Sequence, residues 1–156
     1  MSIRQLTPDD IGLMQALLRT FGEAFDEVGT YEGKPPSAAY LRRLLEGDFF
    51  IAVAAIESGA VIGGIGAYEL KKFEQERSEI YVYDLAVAAT HRRRGVATAL
   101  INELKIIAAA RGAYVIFVQA DAGDDPAINL YTKMGVREDV LHFDIPIGDS
   151  ARDEVS

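Results

Sequence analysis

The sequence of 156 residues contains no cysteine. This absence excludes disulfide bonds, thiolate metal ligands and a cysteine nucleophile. Histidine is nearly as rare, and the two that occur, His91 and His142, are too few and too far apart along the chain to suggest a zinc site. We therefore expect neither a metal site nor thiol chemistry.

Long apolar runs are absent as well. The first ten residues, MSIRQLTPDD, do not form the apolar stretch of a signal peptide. No run reaches the ~18 apolar residues of a membrane span. We therefore expect a cytoplasmic protein that does not interact with membranes.

Positive charge is scarce, because 16 Lys and Arg stand against 24 Asp and Glu, for a formal net charge of −8. Such a balance argues against nucleic acid as a partner, since its phosphates would be repelled. It is compatible with a cationic partner. The chain length suits one domain, and the 49% content of hydrophobic residues supports a packed core.

Hydrophobic periodicity predicts one mixed α/β domain over residues 1–147, followed by a charged tail at 148–156 that we expect to be flexible. Strand-like runs occupy residues 2–6, 49–56, 60–70, 78–88, 114–120 and 140–147. Residues 114–120 are continuously apolar, which is typical of a strand buried on both faces. The run GGIG at 63–66 indicates a bulge or close packing.

Helical spacing predicts four helices. The first follows Thr7, which we expect to cap it, with Pro8 at its first position. The others cover residues 37–47, 92–111 and 124–135, each followed by or ending at a glycine. Residues 29–36 are predicted to be a polar connection.

A basic turn between a strand and a helix is the most informative segment. Three adjacent arginines, Arg92, Arg93 and Arg94, precede Gly95 and the small residue Ala97. The free amides of a first helical turn favour an anion, and glycine lets a ligand approach the backbone closely. The pattern predicts a phosphate or pyrophosphate site. The alternative is a solvated helix start that binds no ligand. The segment is not a known nucleotide-binding loop, because the glycines and the lysine of those motifs are missing.

Two motifs resemble those of the GNAT family of N-acetyltransferases. The segment RRRGVA at 92–97 fits the family signature Gln/Arg-x-x-Gly-x-Gly/Ala, and the segment DLAV at 84–87 fits the strand that leads into it. The segment AINLYTKMGV at 127–136 is similar to the second motif of the family. The resemblance implies an acyl-CoA N-acyltransferase fold, in which helices flank a mostly antiparallel central sheet with splayed central strands.

A closer resemblance is to the class I aminoglycoside 3-N-acetyltransferases, the gentamicin acetyltransferases. It is carried by the segments KFEQ at 72–75, SEIYVYD at 78–84, GAYVI at 112–116, QAD at 119–121, GDDP at 123–126 and HFDI at 142–145. It implies an enzyme that transfers an acetyl group from acetyl-CoA to the 3-amino group of an aminoglycoside such as gentamicin. The transfer would proceed by direct attack in a ternary complex and would give antibiotic resistance.

Other functions remain open at this point. The acceptor could be another amine, such as a polyamine or a protein amine. The chain could also be a catalytically silent acetyl-CoA-binding sensor, or a generic nucleotide-binding module. The habit of the family suggests a homodimer.

The resemblance also implies which residues bind acetyl-CoA. Its pyrophosphate would lie on the basic turn, formed by Arg92, Arg93, Arg94, Gly95, Val96, Ala97 and Thr98. The pantetheine arm would lie in a gap between two splayed strands, held by main-chain groups of Leu85, Ala86 and Val87. A main-chain amide there would stabilise the charge that develops on the thioester oxygen.

Asp84 and Tyr131 are the expected catalytic residues. Acetyl transfer needs a neutral amine, so a base must accept a proton, and Asp84 would lie beside the thioester. Asp84 could instead satisfy exposed main-chain amides or hold the substrate by charge. The resemblance implies that Tyr131 protonates the departing thiolate. The family often has Asn where this chain has Asp124, so the role of that Asn is not transferred.

Acidic side chains are expected to hold the ammonium groups of an aminoglycoside. Two of the candidates have a plain alternative, since Glu79 could be a solvated acid at a strand end and Asp125 could be a helix cap. His91 and His142 are expected to be structural. The candidates are Glu23, Asp26, Glu27, Glu79, Asp84, Asp121, Asp125 and Asp144.

Overall fold

The computed structural model describes residues 1–149, so most of the predicted tail lies outside the described residues. The chain divides into two compact units, Met1–Gln119 and Ala120–Ser156. Within residues 1–149, no helix is long and apolar enough to cross a bilayer. The same residues contain no group of three or more acidic or histidine side chains that could hold a metal ion.

A five-stranded sheet forms the centre of the first unit. Its strands lie side by side in chain order: β1 (Ser2–Gln5), β2 (Phe50–Glu57), β3 (Ala60–Lys71), β4 (Ser78–Val87) and β5 (Ala113–Val118). The pairs β1–β2, β2–β3 and β3–β4 are antiparallel, whereas β5 is parallel to β4. The predicted mixed, mostly antiparallel sheet is confirmed.

Four helices belong to the first unit: α1 (Ile11–Ala24), α2 (Val28–Glu32), α3 (Ala38–Glu46) and α4 (Val96–Ala110). The apolar face of α1 packs on the sheet, where Leu17 and Phe21 are buried against Ala52 and Ala54 of β2. The helix α4 buries Leu100, among others, in the same way. Burial of these apolar faces fixes both helices against the sheet.

The chain before and after α1 differs from the prediction. The helix begins at Ile11 and not at residue 8, because a carboxylate oxygen of Asp10 accepts the main-chain amide of Thr7 (2.8 Å) and closes a turn ahead of the helix. The predicted connection at 29–36 contains part of α2. Packing of the Tyr31 ring near Phe21, with 6.2 Å between ring centroids, stabilises this short helix despite its glycine.

Glycines of β3 let neighbouring elements approach closely. A Cβ atom on Gly64 would lie 2.4 Å from Cδ1 of Leu17 and 2.6 Å from the carbonyl oxygen of Val53. A Cβ atom on Gly63 would lie 2.8 Å from the carbonyl oxygen of Ala86. The interpretation of GGIG as a close-packing segment is therefore confirmed, and α1 lies directly on the backbone of β3.

The strand β5 is less buried than predicted. Tyr114 and Val115 are 49% and 40% exposed, whereas the continuous apolar run indicated a strand buried on both faces. The physical reason is its place in the sheet, because β5 is the last strand in the order and pairs only with β4 among the described residues.

The second unit contains the helix α5 (Asp125–Met134). The side chain of Asp124 caps it by accepting the amide of Ala127 (3.3 Å), and Gly135 follows its last residue. The strand predicted at 140–147 is wrong for the described residues, since no strand is formed there. Alternating apolar residues favour an extended backbone, but a strand also needs a hydrogen-bonding neighbour.

Candidate active site

The strand β4 extends beyond the end of β5. Their pairing ends at Val82 and Val118, whereas β4 continues to Val87 with no strand on that side among the described residues. The other edge of β4 stays paired with β3 along this stretch. The main-chain groups of Leu85 and Ala86 on that edge therefore have no strand partner in the described part of the chain.

A β-bulge interrupts β4 just before these residues. Gly66 of β3 pairs with Asp84, but the next residue, Ala67, pairs with Val82, so Tyr83 is the extra residue. A bulge bends the strand and changes the direction of nearby side chains. Tyr83 is 65% exposed, whereas Asp84 is half-buried.

The carboxylate of Asp84 is bound by a tyrosine from another element. The hydroxyl group of Tyr31 donates a hydrogen bond of 2.9 Å to Oδ2 of Asp84. Burial raises the pKa of Asp84, the hydrogen bond from Tyr31 lowers it in part, and the charge of Glu27 raises it further. Burial and the Asp84 carboxylate also raise the pKa of Tyr31, so Tyr31 keeps its proton. A carboxylate of this kind can accept a proton from an amine.

Sequence reasoning missed Tyr31. Its position depends on the contact between α1 and α2, where a Cβ atom on Gly22 would lie only 3.1 Å from Cβ of Tyr31. The ring also packs near Phe25, at 6.1 Å between centroids. Tyr31 precedes Asp84 by 53 residues, so no local pattern joins them. The one available signal was an aromatic residue in an otherwise polar connection.

Aromatic side chains form an open groove of about 710 Å³ on the first unit, lined in part by Phe49, Tyr68, Tyr81 and Tyr83. The rings of Tyr68 and Tyr81 each lie 5.9 Å from that of Tyr83. The charge of Asp84 contributes to the raised pKa values of Tyr68 and Tyr81, so the groove lies near the acid. Aromatic faces attract cations, and one is already present, since Lys71 lines the groove with its Nζ 5.8 Å from the centre of the Phe49 ring.

The loop between β4 and α4 begins with a short 3₁₀ helix, Ala89–His91, and α4 begins at Val96. The predicted helix start at Arg92 is therefore wrong by four residues. The reason is that Arg93 and Gly95 are both left-handed, with φ of 62° and 76°. Turns of this kind can direct successive amides toward one anion. A Cβ atom on Gly95 would meet nothing within 4 Å, so the space beside it is open.

The first turn of α4 offers free main-chain donors. The first hydrogen bond of this helix runs from the amide of Ala99 to the carbonyl oxygen of Gly95 (3.0 Å), so the three preceding amides have no acceptor within the helix. The helix dipole favours negative charge at the same end. These amides belong to Val96, Ala97 and Thr98.

The arginines of the loop have different surroundings. Arg92 donates from Nε to the carbonyl oxygen of Val87 (3.4 Å) and so connects the loop to the end of β4. Arg94 is 61% exposed, with Nη1 4.0 Å from a carboxylate oxygen of Glu57, which also contacts Nε2 of His91 (2.8 Å). The side chain of Arg93 is exposed. The loop therefore presents positive charge together with free amides, and its use as an anion site stays a prediction.

Three predicted acids lie at the corner between α1 and α2. Glu27 is close enough to raise the pKa of Asp84 by its charge. Glu23 and Asp26 lie in the same corner, where the amide of Asp26 bonds to the carbonyl oxygen of Glu23 (3.3 Å). This corner therefore adds negative charge on the side from which Tyr31 reaches Asp84.

Glu79 is neither a lone acid nor freely solvated. It accepts hydrogen bonds from Nζ of Lys72 (2.7 Å) and from the hydroxyl of Tyr114 (3.1 Å). The bond from Lys72 is the main reason why the pKa of Glu79 is lowered. With its charge already paired, Glu79 is a weak candidate for binding an ammonium group.

In the second unit, Tyr131 is half-buried on α5, and burial together with the charge of Asp124 raises its pKa. Its phenol therefore stays protonated at neutral pH and can act as a proton donor. Asp125 is the first residue of α5 and leaves the capping role to Asp124. Asp144 accepts a 2.9 Å hydrogen bond from His142. Asp121 is exposed.

Two solved structures resemble the chain over nearly its full length. An aminoglycoside acetyltransferase, HMB0005 from an uncultured soil metagenomic sample, is 65% identical, with a TM-score of 0.93 over 94% of this chain and 98% of that one. A second soil metagenomic aminoglycoside acetyltransferase, meta-AAC0020, is 28% identical, with a TM-score of 0.87 over 94% and 96% of the two chains. Its crystal structure is a complex with sisomicin.

Curated relatives share shorter regions. An N-alpha-acetyltransferase of Sulfurisphaera tokodaii is 31% identical over 100 residues, or 60% of this chain and 58% of the relative. N-acetyltransferase 8B of Rattus norvegicus is 30% identical over 88 residues, or 56% and 40% of the two chains. The chain thus spans 40–58% of the length of these relatives.

The match to a protein family covers the elements that carry the candidate site. Residues 12–136 match the acetyltransferase (GNAT) family, a range that includes the bulge at Asp84, the loop before α4 and all of α5. The chain belongs to the acetyltransferase (GNAT) family.

Proposed function

We propose that this chain transfers an acetyl group from acetyl-CoA, the donor of its family, to an amino group of an aminoglycoside. The observation that carries the proposal is the arrangement along β4. The half-buried acid Asp84, the edge of β4 that β5 leaves unpaired and the amide-rich loop before α4 follow one another on a continuous stretch of 15 residues, 84–98. The similarity to HMB0005 supports the same acceptor class.

The residues of the loop fit the diphosphate of acetyl-CoA. The free amides of Val96, Ala97 and Thr98 would bind phosphate oxygens, and the open space at Gly95 lets them approach. The exposed side chains of Arg93 and Arg94 would supply positive charge, with Arg92 holding the loop on β4.

Main-chain groups of β4 fit the pantetheine arm. Leu85, Ala86 and Val87 have no strand on the β5 side in the described part of the chain, so their outward amides and carbonyls would pair with the amides of the arm. When bound, acetyl-CoA supplies the acetyl group as a reactive thioester. One of these main-chain amides would stabilise the negative charge that develops on the carbonyl oxygen.

The side chains divide the proton transfers between them. Asp84 would accept a proton from the incoming ammonium group, which leaves the nitrogen a lone pair for attack on the carbonyl carbon. As the C–N bond forms and the C–S bond breaks, the nitrogen loses a second proton, which balances the one that sulfur receives from Tyr131. Tyr31 would orient the carboxylate through its hydrogen bond of 2.9 Å. Tyr131 would donate a proton to the departing sulfur, and its raised pKa keeps that proton available at neutral pH.

Charge and aromatic surface support a polycationic sugar as acceptor. Glu27 is close enough to raise the pKa of Asp84, and Glu23 and Asp26 lie in the same corner between α1 and α2. The aromatic groove lies near the acid, whose charge contributes to the raised pKa values of Tyr68 and Tyr81. Asp121, Asp125 and Asp144 are further candidates. The finer assignment to the 3-amino group of gentamicin, with antibiotic resistance in the cytoplasm as the outcome, rests on the sequence resemblance.

A protein amine is the second candidate acceptor. The similarity to the N-alpha-acetyltransferase of Sulfurisphaera tokodaii, 31% identical over 100 residues, supports this candidate. The two candidates differ in the charge that they require of the acceptor site, since an aminoglycoside carries several ammonium groups and a peptide N-terminus carries one.

A thiol-release assay with acetyl-CoA tests the proposal. The acceptors are gentamicin, sisomicin, spermidine and a short peptide with a free N-terminus. We expect release of CoA with an aminoglycoside at a kcat/KM at least tenfold above that for spermidine or the peptide, and NMR of the product identifies the acetylated amine. A preference for the peptide, or no release with any aminoglycoside, would contradict the proposal.

A further inference from the structure

We propose that Glu57 weakens the binding of CoA to the loop before α4 and thereby speeds the release of CoA after acetyl transfer. The inference rests on the proposed function, because it concerns the same diphosphate site. It gives Glu57 an electrostatic effect on that site and no part in the proton transfers. All of the residues that carry it belong to the first unit.

Glu57 lies at the end of the sheet where this loop begins. It is the last residue of β2, and the turn to β3 consists of Ser58 and Gly59, with φ of 52° and 79°. Two left-handed residues form the tight turn of a hairpin, which fixes where β2 ends. The amide of Ala88 donates to the carbonyl oxygen of Ile62 in β3 (2.8 Å), so the chain leaves β4 close to this hairpin.

The carboxylate of Glu57 contacts two residues of the loop. Its Oε2 accepts a hydrogen bond from Nε2 of His91 (2.8 Å), and Nδ1 of the same ring lies 2.8 Å from Oγ1 of Thr90. Oε2 also lies 4.0 Å from Nη1 of Arg94. The free amides of α4 begin only two residues later, at Val96. One negative charge is therefore held against the loop that would bind a diphosphate.

A carboxylate in this place opposes the binding of a diphosphate in two ways. Its charge repels the ligand, and its ion pair with Arg94 competes for a guanidinium that would otherwise bind a phosphate oxygen. The side chain of Glu57 is 39% exposed and that of Arg94 is 61% exposed, so salt screens both effects. We expect the charge to weaken CoA binding about threefold to tenfold at low salt.

The donor and the product carry the same diphosphate, so the charge of Glu57 weakens the binding of both to the same extent. This uniform weakening raises KM for acetyl-CoA without opposing the chemical step, and it shortens the time that CoA stays bound. A loop with three arginines and free amides benefits from such a charge when product release limits turnover.

Glu57→Gln tests the effect of the charge, because its amide oxygen can still accept the hydrogen bond from His91. Calorimetric titration with CoA at about 20 mM NaCl should give a Kd about threefold to tenfold lower in the variant, and the difference should shrink at about 500 mM NaCl. Glu76→Gln is the matched control. It removes the same charge from the exposed turn before β4, at the opposite end of that strand, and should leave the Kd unchanged.

Stopped-flow displacement of CoA measures its release, which should slow in Glu57→Gln by the same factor. An equal or higher Kd in this variant would overturn the inference, as would a decrease that persists undiminished at high salt. Both results leave the proposed function standing, because the unmodified chain binds CoA in them. Failure of the unmodified chain to bind CoA would instead overturn the proposed function together with the inference.

Discussion

Oδ2 of Asp84 accepts a hydrogen bond of 2.9 Å from the hydroxyl group of Tyr31. Burial raises the pKa of this carboxyl group, and the bond from Tyr31 acts in the opposite direction. In the proposed reaction, Tyr31 therefore lowers the pH above which Asp84 is ready to accept a proton, although burial has the larger effect on that pKa. It is a positioning residue, since it acts through Asp84.

Removal of the Tyr31 hydroxyl should shift the pH profile. In Tyr31→Phe, the bond that lowers the pKa of Asp84 is lost, so the acid limb of kcat/KM should move to higher pH. The plateau should fall about tenfold, which corresponds to a hydrogen bond of about 1.4 kcal/mol. The measurement is a pH–rate profile with an active aminoglycoside. Tyr40→Phe is the control, because Tyr40 is 51% exposed, and an unmoved acid limb in Tyr31→Phe would contradict the role.

Asp84→Asn should lower activity and raise stability. Turnover should fall by about 10²–10⁴, the range for loss of an acid–base group. Because burial raises the pKa of Asp84, the folded state disfavours the charged form, and the neutral amide removes this penalty at pH 7. The Tm should therefore rise at pH 7, and the difference should shrink as the pH falls toward about 3.9, the ordinary pKa of Asp. A lower Tm at pH 7 would contradict this account.

Gly95→Val should weaken binding of acetyl-CoA at least tenfold. The left-handed φ of 76° strains a β-branched residue, and the new side chain would occupy the open space beside the loop amides. Gly112→Val is the matched control, because Gly112 has φ of 80° and open surroundings at the other end of α4. Both variants should lose about 1–2 kcal/mol of stability. Calorimetry should show weaker binding in the first alone, and equal affinities would count against the diphosphate site.

Tyr131→Phe should lower kcat by about 10²-fold and leave the affinity for acetyl-CoA unchanged. The variant keeps the ring but removes the proton that would reach the departing sulfur. Steady-state kinetics and calorimetric titration with acetyl-CoA separate the two quantities. A normal kcat would remove Tyr131 from the proton transfers.

Local patterns predicted the parts of the site that a single segment forms. Gly95 and the arginines before it indicated an anion site because the amides of a helix start belong to consecutive residues. Asp84 was placed at the β4 bulge from its motif, and the register of β3 and β4 places it there. The cap of α5 was also predictable, since Asp124 and Ala127 are three residues apart.

The remaining features of the candidate site depend on contacts between segments that are far apart in the sequence. Tyr31 reaches Asp84 only because α2 packs against α1, and the polar composition around Tyr31 gave no sign of that packing. The partners of Glu79 were missed for the same reason, since Tyr114 lies 35 residues away. At residues 140–147, alternation predicted a strand that the structure does not form, because a strand also needs a hydrogen-bonding neighbour that alternation does not specify.

Two glycine-to-alanine changes should have opposite effects on stability. Gly64→Ala places a methyl group 2.4 Å from Leu17 and 2.6 Å from the backbone oxygen of Val53, so it should cost about 1–3 kcal/mol or more. Gly12→Ala lies in α1 with nothing within 4 Å and should stabilise by about 0.5–1 kcal/mol. Urea unfolding measures both. Equal effects would show that the close approach of α1 to β3 is absent in solution.

The bare backbone at Gly64 also has a chemical consequence. It sets the height of α1 above the sheet, and the corner that follows α1 carries Tyr31 to Asp84. A methyl group at position 64 would push that corner away from the sheet and increase the distance between the Tyr31 hydroxyl and the Asp84 carboxylate. Gly64 itself would contact no reactant. In a mutational scan, loss of turnover on substitution of this glycine would thus reflect a larger distance between α1 and the sheet. The hydrogen bond from Tyr31 to Asp84 would be the first contact to break.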